Sequence, residues 1–403
     1  MPKQFWIVLA FAGLVGLLLH VEWRLHRRRL TAIPIRIHVN GTRGKSSVTR
    51  LIASILSQHG IATLAKTTGT TPRLILPDGS EEPIPRHGPP NISETIWAMK
   101  RAAKLGARAV VFECMAVNPD LQWVVENRMM QSTVTVITNA RLDHTDVQGT
   151  SPREIAARFA VPPGRPVVTA DPLVAKVLRP QIEALGGTVH EVSAEDVREE
   201  DVLEMPYVEH AENLAVAFRV GALLGISRDT AARGMRLATP DSGAASILDL
   251  QHEGREWTLV NLFAANDPES TFRAFDTVEA LVGESLRPIL LFASRDDRGA
   301  RSMEFASALA RNRARFSDVV IWGEKTQAVT RAARGSGFPG DLLVDAGSIE
   351  PEELTRLLVG RMNGNTTVLG VGNIVGPAQR WLDHLAQGAR PPETHESEAP
   401  VAS

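Results

Sequence analysis

The sequence RIHVNGTRGKSSVTRLIASIL, residues 36–56, carries the strongest structural signal in this chain of 403 residues. Its beginning alternates apolar and polar residues, with Ile35, Ile37 and Val39 as the apolar set, and this predicts a strand that ends in a glycine-containing turn. An apolar-periodic segment after Lys45 predicts a helix. A strand, a glycine-rich loop and a helix in this order form a phosphate-binding site, because backbone N–H groups and the helix N-terminus face the anion.

The loop departs from the common G-x-x-x-x-G-K-[ST] pattern at one position. Val39 stands where that pattern has its first glycine, whereas Gly44, Lys45 and Ser46 keep the rest. A chance match in an ordinary loop is the alternative, but the flanking strand and helix favour phosphate binding, with Lys45 reaching the terminal phosphates. The candidate nucleotide-binding residues of this loop are Asn40, Gly41, Thr42, Arg43, Gly44, Lys45, Ser46 and Ser47.

The composition limits the classes of function that the chain can have. Its formal net charge is −2, which does not indicate a general nucleic-acid binder. The single cysteine, Cys114, excludes an internal disulfide framework and a four-cysteine zinc site, and it is typical of a reducing compartment. The length is sufficient for two or three domains with full cores.

The N-terminus has the composition of a membrane anchor. FWIVLAFAGLVGLLL, residues 5–19, contains no charged residue, and with its flanks it reaches about the 20 residues that cross a bilayer. Lys3 is the only basic residue before it, whereas arginines follow at positions 24, 27, 28 and 29. Because positive flanks stay in the cytoplasm, we expect a single-pass protein of the cell membrane with cytoplasmic catalytic domains. A cleaved signal peptide would carry its positive charge before the apolar segment, so the charge distribution argues against one. The alternative is a buried amphipathic helix.

Strand-like and helical patterns alternate through the rest of the chain. The strand-like runs are ARAVVFE, STVTVITN, GRPVVTA, WTLVNLF, RPILLFA, SDVVIW and TTVLGVG. This alternation predicts an α/β fold with parallel sheets and helices on both faces. The segment 77–91 is rich in proline and charge and predicts a surface loop.

Two chemically useful side chains follow predicted strands. Glu113 ends the run AVVFE, and His144 lies just past VTVITN. Ligands of open α/β sheets bind beyond the carboxyl ends of the strands, and a carboxylate and an imidazole near a triphosphate suit a Mg²⁺-dependent ATP enzyme. Taken alone, Glu113 could be a helix cap and His144 an ordinary loop histidine. The hypothesis of a metal site therefore depends on their joint position beside the phosphate loop.

Several motifs resemble those of a known superfamily. IHVNGTRGKSSV is similar to the nucleotide loop of folylpolyglutamate synthases and Mur ligases, which also lack the first glycine. FAANDPEST, FECMAV, GVGNIVGP and the apolar N-terminus resemble, within that superfamily, the membrane-anchored poly-γ-glutamate synthases of the CapB/PgsB type. The resemblance implies one transmembrane helix, a Mur-ligase-like P-loop ATPase domain with a parallel-rich sheet, and a smaller Rossmann-like C-terminal domain. The implied boundaries are 1–30 for the anchor, 31–242 for the ATP-binding domain, 243–388 for the C-terminal domain and 389–403 for a disordered tail.

The resemblance also implies roles for individual residues. The implied catalytic residues are Lys45, Glu113 and His144. The implied Mg²⁺ ligands are Ser46, Thr71, Glu113 and His144, with His144 at a second metal. The implied nucleotide-binding residues outside the loop are Asn213, Asp296, Asp297 and Arg298.

The chain departs from the family pattern in three places. Phe159 stands where Mur ligases and folylpolyglutamate synthases have a carbamylated lysine, so the second metal site must be completed otherwise or be weaker. TPDSGAASILDL, residues 239–250, replaces an arginine-containing segment, so no role is carried over for that arginine. The long substrate-binding N-terminal domain of the Mur ligases is missing, which argues against a UDP-sugar substrate.

The activity implied by the resemblance is ATP-dependent polymerisation of glutamate through γ-linkages, by way of an acyl phosphate. The implied cofactors are ATP and Mg²⁺, and the implied partners are the growing poly-γ-glutamate chain, the membrane and small membrane proteins of a synthesis or export complex. Whether the chain forms a homo-oligomer stays open. Two alternatives remain at this point: a folylpolyglutamate synthase-like ligase, and a non-catalytic nucleotide-binding subunit of an export complex.

Overall fold

The chain divides into two compact units, Met1–Ser242 and Gly243–Ser403. The structure is a computed structural model, and each unit is built around one sheet with helices connecting its strands. The α/β class predicted from the sequence is therefore confirmed. The residues that the structure describes are 3–69, 72–86, 88–143, 145–207, 209–240, 246–263, 268–282, 287–296, 299–362 and 367–388.

The first unit contains an eight-stranded sheet. Its strands are β1 (Ile35–Asn40), β2 (Thr63–Lys66), β3 (Arg73–Ile75), β4 (Glu81–Pro83), β5 (Ala109–Glu113), β6 (Val134–Ile137), β7 (Pro166–Thr169) and β8 (Thr188–Glu191). They lie in the order β4-β3-β2-β5-β1-β6-β7-β8, and the six strands from β2 to β8 in this order are parallel. β3 and β4 form an antiparallel edge.

The surface loop predicted for residues 77–91 is partly wrong, since Glu81–Pro83 forms the edge strand β4. Glutamate and proline rarely favour strands, but an edge strand tolerates a proline because one side of its backbone needs no partner. The Arg50 guanidinium also binds the Glu81 carboxylate, with Nη2 3.1 Å from Oε2. Tertiary contacts therefore outweigh the local sequence preference here.

Helices cover both faces of this sheet, as predicted. They are α1 (Lys3–Ala32), α2 (Lys45–Gln58), α3 (Ser93–Lys104), α4 (Pro119–Val124), α5 (Pro152–Arg158), α6 (Pro172–Ala184), α7 (Glu199–Leu203), α8 (Ala211–Leu223) and α9 (Arg228–Arg236). A π-helical turn, Val125–Met130, continues α4. One core includes Leu51 and Leu214 and packs α2 and α8 against the sheet, whereas a separate core includes Leu30, Met99 and Phe112.

The C-terminal end of α1 is joined to the first unit by Arg36. The guanidinium donates hydrogen bonds to the carbonyl oxygens of Leu30 and Ile33 at 2.9 and 2.7 Å, and to those of Met130 and Gln131. These carbonyls belong to the last turn of α1 and of the π-helical turn or to the residue directly after each, where helices leave acceptors unpaired. One side chain thus fixes two helix ends at the beginning of β1.

α1 is long and apolar enough over Gln4–Ala32 to cross a membrane, judged by length and composition. It continues two residues past the predicted anchor boundary at residue 30. Leu30 and Ile33 are buried in the first unit, whereas Phe11, Leu14 and Leu18 are exposed. The end of the helix therefore packs against the first unit, and its apolar part remains available to a membrane.

The second unit contains a six-stranded sheet. Its strands are β9 (Ser246–His252), β10 (Arg255–Asn261), β11 (Ile289–Ser294), β12 (Asp318–Gly323), β13 (Leu343–Gly347) and β14 (Thr367–Gly372). They lie in the order β13-β12-β11-β14-β10-β9, with only β9 antiparallel to its neighbour among the described strands. The helices are α10 (Pro268–Val282), α11 (Gly299–Arg311), α12 (Thr326–Gly335), α13 (Pro351–Gly360) and α14 (Gln379–Gly388).

All seven strand-like runs predicted from the sequence contain a strand. Residues 246–250 of the segment 239–250 lie in the edge strand β9, which turns into β10 through Glu253 and Gly254. Both of these residues have positive φ, 49° and 80°, as a two-residue hairpin turn requires. The predicted tail, 389–403, lies outside the described residues.

We predict that Arg36→Met destabilises the protein by about 2–4 kcal/mol, because it removes every N–H donor that holds the two helix ends while keeping the aliphatic stem. Thermal unfolding of the purified full chain in detergent measures this loss. Arg108→Met is the matched control, since the Arg108 side chain is exposed. Equal unfolding temperatures for both variants would contradict the role of Arg36.

Candidate active site

The loop between β1 and α2 is shaped by two glycines. Gly41 and Gly44 have φ values of 122° and 80°, in the left-handed region. A Cβ on Gly41 would lie 2.2 Å from Thr138 Oγ1 and 2.9 Å from Thr138 N. Only glycine fits this position, because both the conformation and the space exclude a side chain.

The segment after β6 holds the loop in place. The backbone N–H of Thr42 donates to Asn139 O at 2.9 Å, and the N–H of Arg43 donates to Asn139 Oδ1 at 3.1 Å. Thr138 Oγ1 donates to Arg43 O at 2.6 Å. The Arg43 side chain forms an ion pair with Asp143, with Nη2 3.3 Å from Oδ2. The ITNARLD segment is therefore a structural support of the loop, a role that the sequence did not reveal.

Ser46 and Glu113, two predicted metal ligands, lie side by side. Ser46 Oγ donates to Glu113 Oε2 at 2.8 Å, and the backbone N–H of Thr68 donates to the same oxygen at 2.7 Å. The Lys45 ammonium donates to the carbonyl oxygens of Gly41 and Thr42 at 2.8 and 3.0 Å. A hydroxyl and a carboxylate in contact offer the hard oxygen ligands that Mg²⁺ prefers.

A cavity of about 260 Å³ opens at the carboxyl ends of β1, β2 and β5. This is the edge at which open α/β sheets bind ligands. It is lined by Asn40, Gly41, Thr42, Lys45, Thr68, Gly69, Arg86, Pro90, Glu113, Cys114, Met115, Ala116, Val117, Asp143 and Gln148. The structure thus brings Lys45 and Glu113 to one cavity.

Asn213 and Ser47 lie behind the loop. The Asn213 amide oxygen is 2.9 Å from the point where a Cβ on Gly44 would stand, and its amide nitrogen donates to Glu209 Oε1 at 2.7 Å. Burial raises the pKa of Glu209, and hydrogen bonds from Asn213, His210 and Ser47 oppose this shift. Asn213 therefore contacts the loop itself, and Asn213 and Ser47 do not line the cavity.

Several predicted site residues cannot be placed beside this cavity. Asp296 follows β11 in the second unit, where its side chain forms an ion pair with Lys325 and its N–H donates to Glu324 Oε2 at 2.9 Å. The residues that lie outside the described part of the chain are Thr71, His144, Asp297 and Arg298.

The described residues contain no group of three or more His, Cys, Asp or Glu side chains that could hold a metal ion. Mg²⁺ does not require such a group, since it keeps several waters and binds one or two carboxylates together with substrate phosphates. Phe159, at the position where the resemblance implied a carbamylated lysine, is 3 % exposed and packs with Ile155 and Val161 in an apolar cluster. It offers no metal ligand.

A buried polar layer beneath the loop was missed by the sequence analysis. His38 Nδ1 lies 2.6 Å from Glu126 Oε2, and Asn40 Nδ2 donates to Gln122 Oε1 at 2.9 Å. Burial opposes the charged form of His38, but Glu126 and Cys114 outweigh it and raise the pKa of His38 to about 10. The signal was present in the alternation of β1, whose positions 36, 38 and 40 are polar.

Residues 39–161 match the family model of the Mur ligase middle domain, and residues 247–388 match that of the poly-γ-glutamate synthase CapB C-terminal domain. The chain is 34% identical to PGA synthase CapB of Bacillus subtilis, over 94% of this chain and 97% of that protein. The chain belongs to the CapB family of poly-γ-glutamate synthases. The resemblance stated from the motifs is confirmed.

Two further comparisons extend the CapB assignment. The chain is 36% identical to the capsule biosynthesis protein CapB of Bacillus anthracis, over 91% of this chain and 79% of that protein. The crystal structure of Mycobacterium tuberculosis folylpolyglutamate synthase complexed with ADP and AMPPCP matches with a TM-score of 0.62 at 17% identity, covering 94% of this chain and 99% of that chain. CapB and folylpolyglutamate synthases thus share a fold.

We predict that Gly41→Ala weakens ATP binding at least about 10-fold, because the new Cβ would force the loop away from Thr138. Titration with a fluorescent ATP analogue measures the change. Gly60→Ala is the control, since Gly60 also has a positive φ of 82° but no atom within 4 Å of its Cβ position. Equal losses in both variants would contradict a specific requirement at the loop.

We also predict a pH dependence of stability from His38. Its folded pKa lies above its unfolded value of about 6.5, so its contribution is fully present below that pH and is lost as the pH rises through about 10. The difference in unfolding temperature between wild type and His38→Asn should therefore shrink from pH 7 to pH 10. His59→Asn, at an exposed position, should show no such trend. If the difference in unfolding temperature between wild type and His38→Asn does not change with pH, the charged pair of His38 and Glu126 is refuted.

Proposed function

We propose that this chain polymerises glutamate through γ-amide bonds and that the reaction passes through an acyl phosphate. As a CapB-family member with a Mur ligase middle domain, the chain is an ATP-dependent amide ligase. The observation that supports glutamate polymerisation through an acyl phosphate is the hydrogen bond between Ser46 and Glu113. It lies next to Lys45 in the glycine-containing loop, and Lys45 and Glu113 line the same cavity.

The acyl phosphate follows from the chemistry of amide formation. A carboxylate is a poor electrophile at neutral pH, so the γ-carboxylate oxygen first attacks the γ-phosphorus of ATP and ADP leaves with the bridging oxygen. The amine of another glutamate then attacks the acyl carbon, and phosphate leaves with the electrons of the C–O bond while the amine loses a proton. The anionic γ-carboxylate must approach the anionic γ-phosphate, so the site has to concentrate positive charge.

Different residues at the site would bind the phosphates, neutralise their charge and hold the metal ion. The loop N–H groups and the α2 N-terminus would face the phosphates, and the Lys45 ammonium would neutralise their charge. Ser46 and Glu113 would hold Mg²⁺, which offsets phosphate charge when bound. Asn213, in contact with Gly44, would keep the loop closed around the nucleotide.

Five further residues have roles in the proposal. Thr71 and His144 would complete the metal sites, and Asp296 with Asp297 and Arg298 would bring the C-terminal domain to the nucleotide or the acyl phosphate. A domain closing over ATP would exclude water and protect the acyl phosphate from hydrolysis.

We also propose a single-pass membrane location with small membrane partner proteins. The support is the exposed apolar surface of α1, which includes Phe11, Leu14 and Leu18 and extends over about the length of a bilayer core. The arginines at positions 24, 27, 28 and 29 follow this surface and favour a cytoplasmic location of the catalytic units.

The test uses membranes that contain the full chain, labelled glutamate, ATP and Mg²⁺. We expect ADP to form only when glutamate is present, and the labelled polymer to resist α-peptidases. Glutamate-independent ATP hydrolysis without polymer would instead indicate a gating subunit, and elongation of an added folate would indicate a folylpolyglutamate synthase.

We predict that Lys45→Ala lowers the rate of polymer formation about 100-fold or more, because it removes positive charge from the transition state of phosphoryl transfer. The measurement is incorporation of labelled glutamate at saturating ATP. Lys104→Ala, on the exposed side of α3, serves as the control and should keep the wild-type rate. A comparable rate in Lys45→Ala would remove this lysine from the site.

A further inference from the structure

Lys66 is a buried lysine beside the candidate active site. It is the last residue of β2, its side chain is 0 % exposed, and its Nζ has no hydrogen-bond partner among the described residues. A buried amine without a partner costs free energy, so packing alone does not explain it. A titratable group kept in this state next to a cavity is a candidate for ligand binding.

The carboxylates near Lys66 are already engaged. Glu94 binds Arg86 through both oxygens, with Arg86 Nε 2.9 Å from Oε1 and Nη2 3.2 Å from Oε2. Glu113 Oε2 accepts from Ser46 and Thr68. Burial lowers the pKa of Lys66, and Glu94 and Glu113 oppose that shift without forming a hydrogen bond to it.

Arg86 connects this group to the cavity. It lies between β4 and α3 and lines the cavity together with Thr68 and Gly69, which follow Lys66 in the chain. None of these residues belongs to the phosphate loop. Glu94 thus binds Arg86 and not Lys66, and Glu113 accepts from Ser46 and Thr68. An anion in the cavity would meet Arg86 and offer an acceptor to the nearby Lys66.

We propose that Arg86 and Lys66 bind a carboxylate of the γ-glutamyl substrate. This inference rests on the proposed function, since a γ-linked glutamate chain keeps a free α-carboxylate on every residue. Arg86 uses Nε and Nη2 for Glu94, so Nη1 is the group that donates to a substrate carboxylate. A carboxylate bound there supplies the acceptor that Lys66 lacks. The two residues thereby select a polyanionic peptide substrate at a position separate from the phosphates.

The test compares Lys66→Met and Arg86→Gln in the purified full chain. A fluorescent γ-linked glutamate pentamer is titrated without ATP, and KM values are then determined for ATP, for glutamate and for the pentamer. We expect the pentamer Kd to rise about 10-fold or more in each variant, with the KM for ATP within about twofold of wild type. Lys66→Met should unfold at the same or a higher temperature, because it removes an unpaired buried amine.

Two control variants separate binding from structure. Glu94→Gln removes the carboxylate that competes for Arg86, so it should keep or strengthen pentamer binding. A purely structural ion pair would instead make Glu94→Gln and Arg86→Gln equally harmful. Arg101 of α3 forms another ion pair, with Glu82, and neither of these two residues lines the cavity. Arg101→Gln should therefore leave pentamer binding unchanged.

The outcomes distinguish the inference from the function on which it rests. If only the KM for glutamate rises, the carboxylate site receives the incoming amino acid. If the Kd and KM for the pentamer rise, the carboxylate site holds the growing chain. Wild-type binding in Lys66→Met together with a lower unfolding temperature would overturn the inference and leave the ligase intact. A wild-type protein that neither binds the pentamer nor makes polymer would overturn both.

Discussion

The site depends on one buried carboxylate. Glu113 ends the strand that lies between β1 and β2, and its Oε2 atom accepts hydrogen bonds from Ser46 in the first turn of α2 and from Thr68 after β2. Three strand ends are thereby held together around the cavity. Because a buried carboxylate needs donors, the contacts that stabilise it also fix Ser46, which would hold Mg²⁺ in the proposed reaction, and Thr68, which lines the cavity.

The sequence predicted those elements whose own residues have a clear periodicity or turn motif. The strand, loop and helix of residues 36–56 are specified by period, by two glycines and by the Lys-Ser pair, so their positions follow from sequence. Edge strand β4 has no such signal, because Glu81 and Pro83 form it through pairing and through Arg50. Lys66 was also missed, since its burial depends on which strands flank β2, and strand order is not encoded locally.

Phe159 brings no charge to the site. It packs in an apolar cluster at the position where the resemblance implied a carbamylated lysine, which is itself an anion. Lys45 in the loop and Arg86 place positive charge at the cavity. A reaction between two anions requires such charge, and these two side chains offer it.

Strand β1 joins the site to the apolar helix α1. β1 begins beside Arg36, which holds the end of α1, and it ends at Asn40, which lines the cavity. Six strand residues span about 17 Å at a rise of about 3.3 Å each, and the two residues between α1 and β1 leave no flexible linker. With α1 in a bilayer, the cavity would stay within this short distance of the helix end. In the proposed reaction, the polymer would then start close to the membrane surface.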